Sequence, residues 1–307
     1  MSDWPSFVQN SLPKRLASSE TNEVFVPIIS DVVVEVSGVD AAKLLQGQIT
    51  ADIDSMAVND FCLGALCTNK GRIVAVFTIM RSSEGFYCRL SKQSAEAFIQ
   101  TLKKYGVFYK VDITLRTDIG LVAVFSNNAL TGPLREAIQI KYSESLTEYW
   151  IKDNQWQDCL EALKSTLQAA DESLWQLSKI KQGWPDIAAE TLETFLPHAL
   201  SLDLAEAISF TKGCYTGQEI IARTHYRGKP KKRLARLVLE STPEQPFTSG
   251  SNITNSEGMN LGSLVTSAAY AESCELLASI SLDSPQQGTV VIEDQSVDYR
   301  LSSLPWD

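Results

Sequence analysis

An α+β architecture that ends in a small β-barrel is expected of this 307-residue chain. Three observations carry that expectation. Short β-branched runs alternate with amphipathic helical stretches through the first two-thirds of the chain. The earliest strands are separated by tight turns, which suits antiparallel pairing rather than a doubly wound parallel sheet. From Lys231 onward helical periodicity disappears, and short strands alternate with Gly, Pro, Asn and Ser clusters, the pattern of a barrel of roughly 75 residues. With 44% hydrophobic and 21% charged residues, the chain is long enough for about two cores, and disorder, collagen and coiled coil are excluded.

Taken in order, residues 32–36 read as a strand broken by Ser37-Gly38. Asp40 is placed to cap a short helix that runs through Gln46 and stops at Gly47. Residues 61–68 and 72–80 read as two strands joined by a turn at Asn69-Lys70-Gly71, and 86–90 as a third. Ser91 caps a helix with apolar positions at Ala95, Phe98, Ile99 and Leu102, which ends at Gly106, and 107–115 returns as a strand. A second group follows: a strand over 119–125, a helix near 130–138, a strand over 147–152 and a helix over about 155–169. A further helix over 172–182 stops at Gly183 ahead of Pro185, and an irregular segment extends to Thr211. Strands over 234–239, 261–267, 276–280, 289–292 and 297–301 complete the pattern. Gly228-Lys229-Pro230 reads as the hinge, which divides the chain into two α+β portions, 1–116 and 117–228, and a barrel, 229–307.

No apolar stretch approaches the ~20 residues that span a bilayer, and the start Met1-Ser2-Asp3-Trp4 lacks the basic-then-apolar pattern of an export signal. A soluble cytoplasmic protein is expected. The six cysteines, Cys62, Cys67, Cys88, Cys159, Cys214 and Cys274, are irregularly spaced and read as free thiols. No zinc-ligand spacing is present, and His198 and His225 are the two imidazoles in the sequence, so no metal is expected. The net charge of −10 is unevenly spread. Seven basic residues and no acid fall between Ile220 and Leu239: Arg223, Arg227, Lys229, Lys231, Lys232, Arg233 and Arg236. Removing those seven from the 27 basic residues leaves 20 against 37 acidic ones, so a cationic stripe sits on an acidic body. The stripe reads either as a counter-surface for an anionic ligand or as a solvated linker.

The densest chemistry lies in Lys212-Gly213-Cys214-Tyr215-Thr216-Gly217-Gln218-Glu219. Thr216 and Glu219, just before Ile220-Ile221-Ala222, have the spacing of a capping box, so a helix is expected to begin there. A sulfur just ahead of a helix N-terminus feels the positive end of the macrodipole, and Lys212 and Arg223 add to a field that favours thiolate. Loop amides at such a start also bind carboxylates and phosphates. The alternative is an inert, buried cysteine.

This segment, with Ala222-Arg223 and Arg227-Gly228 after it, resembles the signature of the YgfZ proteins, folate-binding relatives of the glycine-cleavage aminomethyltransferase (T-protein). The similarity extends to residues 45–52 (LQGQITAD), Lys70-Gly71, the Lys103-Lys104-Tyr105-Gly106-Val107-Phe108 run with Lys110-Val111, Gly183 with Pro185, and Ile208-Ser209-Phe210. The barrel matches by pattern alone. The resemblance implies a T-protein-like fold, two α+β portions and a barrel around a central channel that takes tetrahydrofolate or a polyglutamylated folate. It also implies a role in supporting iron–sulfur enzymes, including those that thiomethylate tRNA.

Carried over residue by residue, the resemblance makes Cys214 the candidate reactive thiol. It makes Trp175, Lys212, Gly213, Tyr215, Gly217, Gln218, Glu219, Arg223, Gln48 and Thr50 the candidate folate-binding residues. Gln46, Gln48, Thr50 and Asp52 alternate with apolar neighbours as though they share one face. An anionic glutamate tail suits the basic stripe. Three positions depart from the family pattern. A second folate-contacting tryptophan is replaced by Asp31, and a carboxylate near the helix-ending glycine by Lys181. The aspartate that serves aminomethyl transfer has no counterpart in the strand after the Lys-Gly turn, where Ala75 and Val76 stand, so glycine-cleavage activity is rejected. One thiol without partner cysteines at ligand spacing argues against a stable cluster. Two further classes remain open: a direct tRNA-binding protein using the stripe, disfavoured by the acidic remainder, and a folate-dependent one-carbon transferase with an unknown donor. A channel formed within one chain implies a monomer, with no membrane partner.

Overall fold

In a computed structural model of the chain, residues 3–13, 23–128, 130 and 132–307 are described. Met1 and Ser2, part of the stretch read for an export signal, lie outside the described residues. So does Thr131, within the helix expected near 130–138. The elements in order are α1 (Trp4–Ser11), β1 (Val24–Ile28), β2 (Asp31–Ser37), α2 (Ala41–Gln48), β3 (Phe61–Cys67), β4 (Ile73–Arg81), β5 (Gly85–Ser91), α3 (Lys92–Gly106), β6 (Asp112–Arg116) and β7 (Ile119–Phe125). They continue with β8 (Ile138–Lys141), β9 (Leu146–Lys152), α4 (Trp156–Thr166), β10 (Gln168–Ala169), α5 (Ser173–Gln182), α6 (Gln218–Arg227), β11 (Lys232–Leu239), β12 (Asn252–Asn255), β13 (Asn260–Tyr270), β14 (Ser273–Ser281), β15 (Gln287–Ile292) and β16 (Gln295–Ser302).

The chain forms two compact units, each from two stretches: the described residues of 1–33 with 115–176, and 34–114 with 177–307. In the first unit a five-stranded sheet runs β10-β1-β7-β9-β8, antiparallel except for the β1–β10 pair. Side chains alternate across a strand, so Phe25, Val122, Val124, Tyr149 and Ile151 share one face, where Trp4 of α1 and Trp156, Leu160 and Leu163 of α4 complete a core. The Trp4 and Trp156 rings meet edge-on at 5.3 Å, and the Trp4 indole donates to the Ile28 carbonyl.

In the second unit, a sheet of order β3-β4-β5-β2-β6 is covered by α3. Its buried face of Ala95, Phe98, Ile99 and Leu102 is the one the helical spacing predicts, and Phe98 packs edge-on against Phe77 of β4 at 5.1 Å. The Ser91 hydroxyl accepts from the Gln93 amide, as an N-cap should. The same unit holds the closed barrel β11-β14-β13-β12-β15-β16, filled by Leu237, Leu264, Leu276, Ala278, Val290, Ile292, Val297 and Tyr299. Pairing of β11 with β16 removes the free edges that an open sheet would leave. Among the described residues no helix is long and apolar enough to cross a membrane.

Several expected elements differ. Helix α2 continues through Gly47 to Gln48 and ends where Ile49 turns extended. Gly47 has no positive φ and no close neighbour, so nothing there breaks the helix. The Asp40 carboxylate does not cap α2; it accepts from the Lys110 amide instead. Gln46, Gln48, Thr50 and Asp52 share no strand face, because the first two are helical and Thr50 is fully buried beyond the helix end. The strand expected over 107–115 begins only at Asp112. The helix expected near 130–138 is a short 3-10 turn, Gly132–Glu136, with Gly132 at positive φ and Pro133 next, and Ile138 already belongs to β8. Helix α4 stops at Thr166 because Gln168 and Ala169 pair with β1.

Candidate functional site

The segment 212–219 lies in the second unit and is tied down by backbone and side-chain groups from the end of α2. Lys212 is buried, and its Nζ donates to the carbonyls of Ile49 at 3.0 Å and Ala51 at 2.5 Å. Thr50, also buried, donates its hydroxyl to Ala207 O, accepts from Ala65 N, and offers its own carbonyl to Ser209 N. Thr216 N donates to Gly47 O, and the Thr216 hydroxyl donates to Gln48 Oε1 at 2.9 Å. Gln48 thus braces the segment directly, while Thr50 ties the end of α2 to residues 207 and 209 just before it.

The capping box is overturned. Gly217, not Thr216, is the N-cap of α6, with φ 84° and no side chain to cap with, so Thr216 stands one residue ahead of the helix start and donates its hydroxyl to Gln48. Only glycine fits this position. A Cβ on Gly217 would lie 2.6 Å from the Thr68 carbonyl oxygen and 3.1 Å from Cα of Gly71, at the tip of the β3–β4 hairpin. Gly71 itself has φ 69° and would place a Cβ 3.1 Å from Ile220. The two glycines meet face to face, which fixes the start of α6 against the hairpin turn.

Between the buried side chains of Lys212 and Tyr215, Cys214 is exposed. The other five thiols are half-buried or buried. Burial pushes Cys62 up to about 11, Cys67 up to about 12 and Cys159 up to about 11, and raises Cys88 and Cys274 as well. Burial therefore disfavours the thiolate form at those five. Burial also raises the Tyr215 phenol, whose Oη is covered and has no hydrogen-bond partner; its ring lies 5.3 Å from Lys212 Nζ.

Burial draws the Lys212 amine down to about 8, against the pull of Asp52 and Asp54. The unfolded amine titrates near ~10.4, so between those values the unfolded chain binds more protons and this group makes stability rise with pH. In urea titrations the native chain is expected to gain stability relative to Lys212→Met as pH rises through that window. A difference that stays constant would show that the amine titrates normally.

Helix α6 buries Ile221 and exposes Glu219, Arg223 and Arg227, which with Tyr226 line an open hollow of about 1060 Å³. The seven-residue basic stripe is not uniformly available. Arg233 makes a bidentate ion pair with Asp203, and Arg236 makes one with Glu275 at 2.5 and 3.0 Å. Gln218 N closes a turn onto Tyr215 O, and Gly213 faces open space.

Trp175 belongs to the first unit and is fully buried, with its ring 6.3 Å from Tyr142. Tyr142 and Trp150 both donate to the buried Glu148 carboxylate. Nearby in sequence, Glu172 accepts from the amides of Ile29 and Ser30 and from the Ser30 hydroxyl; burial raises its pKa, and Asp31 adds to the rise. Asp31 is itself buried. Lys181, in the second unit, is half-exposed and 4.0 Å from Glu275. Ala75 and Val76 are buried in β4, and no acid stands in that strand. Glu172 was not anticipated, because its partners Ile29 and Ser30 are distant in sequence, and the Tyr142–Glu148–Trp150 cluster, though local, matches no motif the sequence offers.

The solved glycine cleavage system aminomethyltransferase T from Bartonella henselae matches over 95% of this chain and 87% of its own, with a TM-score of 0.67 and 14% identity. That likeness and the closed barrel bear out the T-protein-like α+β fold. No protein-family profile matches the chain. A tRNA-modifying protein YgfZ of Colwellia psychrerythraea is 31% identical over 297 residues, covering 87% of this chain and 90% of the relative. Its counterpart from Photobacterium profundum is 31% identical over 321 residues, covering 97% and 90%. With that identity sustained along most of its length, the chain belongs to the YgfZ family.

Proposed function

We propose that this chain is a folate-binding accessory protein that supports iron–sulfur enzymes, and through them the modification of some tRNAs, with Cys214 as its reactive thiol. The observation that carries this reading is the exposure of Cys214 on a loop braced by hydrogen bonds, while the other five thiols are half-buried or buried. The names of the YgfZ relatives supply the link to tRNA modification. The acid-free β4 speaks against aminomethyl transfer of the T-protein kind, since an alanine–valine pair moves no proton.

The donor set of α6 fits the anionic half of a folate: Arg223 and Arg227 are exposed beside an open hollow and are free to fork onto carboxylates. Tetrahydrofolate, when bound, supplies a one-carbon carrier. Within the second unit, Lys212 and Thr216 hold the loop and Arg223 and Arg227 orient the glutamate tail. Because the Trp175 ring is wholly covered, stacking on it requires its neighbours to yield. The protein acts as a cytoplasmic monomer.

Titration with tetrahydrofolate tests this reading. Saturable quenching of tryptophan fluorescence at ligand concentrations on the order of micromolar is expected, reduced in Trp175→Phe, with polyglutamyl folate binding more tightly and Arg223→Glu removing that gain. Absence of saturable quenching would defeat the folate assignment. Tight tRNA binding that collapses between low and moderate salt would favour direct RNA recognition instead.

A further inference from the structure

The sequence contains two histidines, and the second unit brings both to one place. His198 stands in a 3-10 turn, Pro197–Leu200; His225 lies in the last turn of α6; Asp203 follows the first of them closely in the chain. One ligand atom from each of these three residues lies within 4.8 Å of the other two.

His198 is the anomaly. Its residue is 2% exposed, and neither ring nitrogen has a hydrogen-bond partner. Nε2 is 3.9 Å from Asp203 Oδ2, too far to bond. A buried polar atom left unmet costs about 1–3 kcal/mol, and native interiors seldom leave two on one ring.

The surroundings already have the form of an outer shell. Arg233 forks onto both oxygens of the nearly buried Asp203 and also donates to His198 O. Each carboxylate oxygen keeps a second lone pair, and a hydrogen-bonded carboxylate is the usual form of a fixed ligand. Phe210 stacks on His225 with ring centroids 3.8 Å apart, which sets the imidazole plane. We propose that His198, Asp203 and His225 form a binding site for a divalent transition-metal cation of the zinc type.

Two imidazoles and one carboxylate suit zinc and its first-row neighbours; magnesium and calcium call for oxygen. Metal–ligand bonds of about 2.0–2.2 Å set tetrahedral donors roughly 3.3 Å apart. Closing the present spacing takes about 1.5 Å of movement, within the reach of the exposed His225 side chain.

The test uses the full chain, stripped with chelator and titrated with Zn2+ by calorimetry and with Co2+ by visible absorption. Cobalt should give d–d bands without a thiolate charge-transfer band, unchanged in Cys214→Ser. His225→Phe keeps the stack on Phe210 but removes the ligand, and should lower zinc affinity at least about tenfold and abolish the cobalt bands. His225→Asn, at the same exposed position, should do likewise, with circular dichroism showing both variants folded. Three outcomes would overturn the site: no cobalt bands in the native chain, equal zinc affinity in the His225 variants, or bands that vanish in Cys214→Ser.

Discussion

Cys214→Ala should abolish the cellular function while leaving the fold as stable as before. The side chain is exposed between two buried anchors, and a surface truncation of this size changes stability by no more than about 0.5 kcal/mol. A loss of activity would then be chemical, not structural. Two measurements decide the matter: the level of thiomethylated tRNA in cells whose only copy of the protein carries the substitution, and the urea midpoint of the purified variant. Full tRNA modification with Cys214→Ala would end the case for a working thiol. Alkylation of the native protein should mark Cys214 first, and Cys67, Cys88, Cys159 and Cys274, all buried, only after denaturant is added.

Gly217→Ala is expected to be the most damaging small substitution in the segment. Left-handed backbone costs an L-residue about 1–2 kcal/mol, and here the new methyl also meets the Thr68 carbonyl oxygen at 2.6 Å. That neighbour is main chain and cannot swing aside. A loss of about 2–4 kcal/mol is expected, read as a lower urea midpoint, together with faster alkylation of Cys214 as the start of α6 loosens. Gly213→Ala is the control: its Cβ would meet nothing within 4 Å and its φ is not positive, so it should be close to neutral. Equal effects of the two substitutions would refute the close-contact account.

The parts of the fold that rest on local pattern were legible. The β3–β4 hairpin, the α3 face and its Ser91 cap, and five of the six barrel strands follow from alternation, helical spacing and turn residues; the four-residue β12 was not read from them. What escaped reading depended on partners far away in the chain. Strand β1 is buried at every position and contains Pro27, so it shows neither alternation nor a clean run. Strand β10 is two residues long and looks like the tail of α4 until β1 is there to pair with it. At the site, Thr216 and Glu219 spelled a capping box, yet the helix starts one residue later at Gly217, whose positive φ and close approach to Thr68 and Gly71 no local window includes. That a helix begins just after this segment was legible; the bracing of Thr216 by Gln48 was not. Neither was the meeting of His198 with His225, which only the packing of α6 against the preceding turn creates.

The bare contact between Gly71 and Gly217 makes the hairpin tip and the sulfur-bearing peptide a single mechanical part. The start of α6, and with it the loop that carries Cys214, can be set in place only once the upstream hairpin has closed.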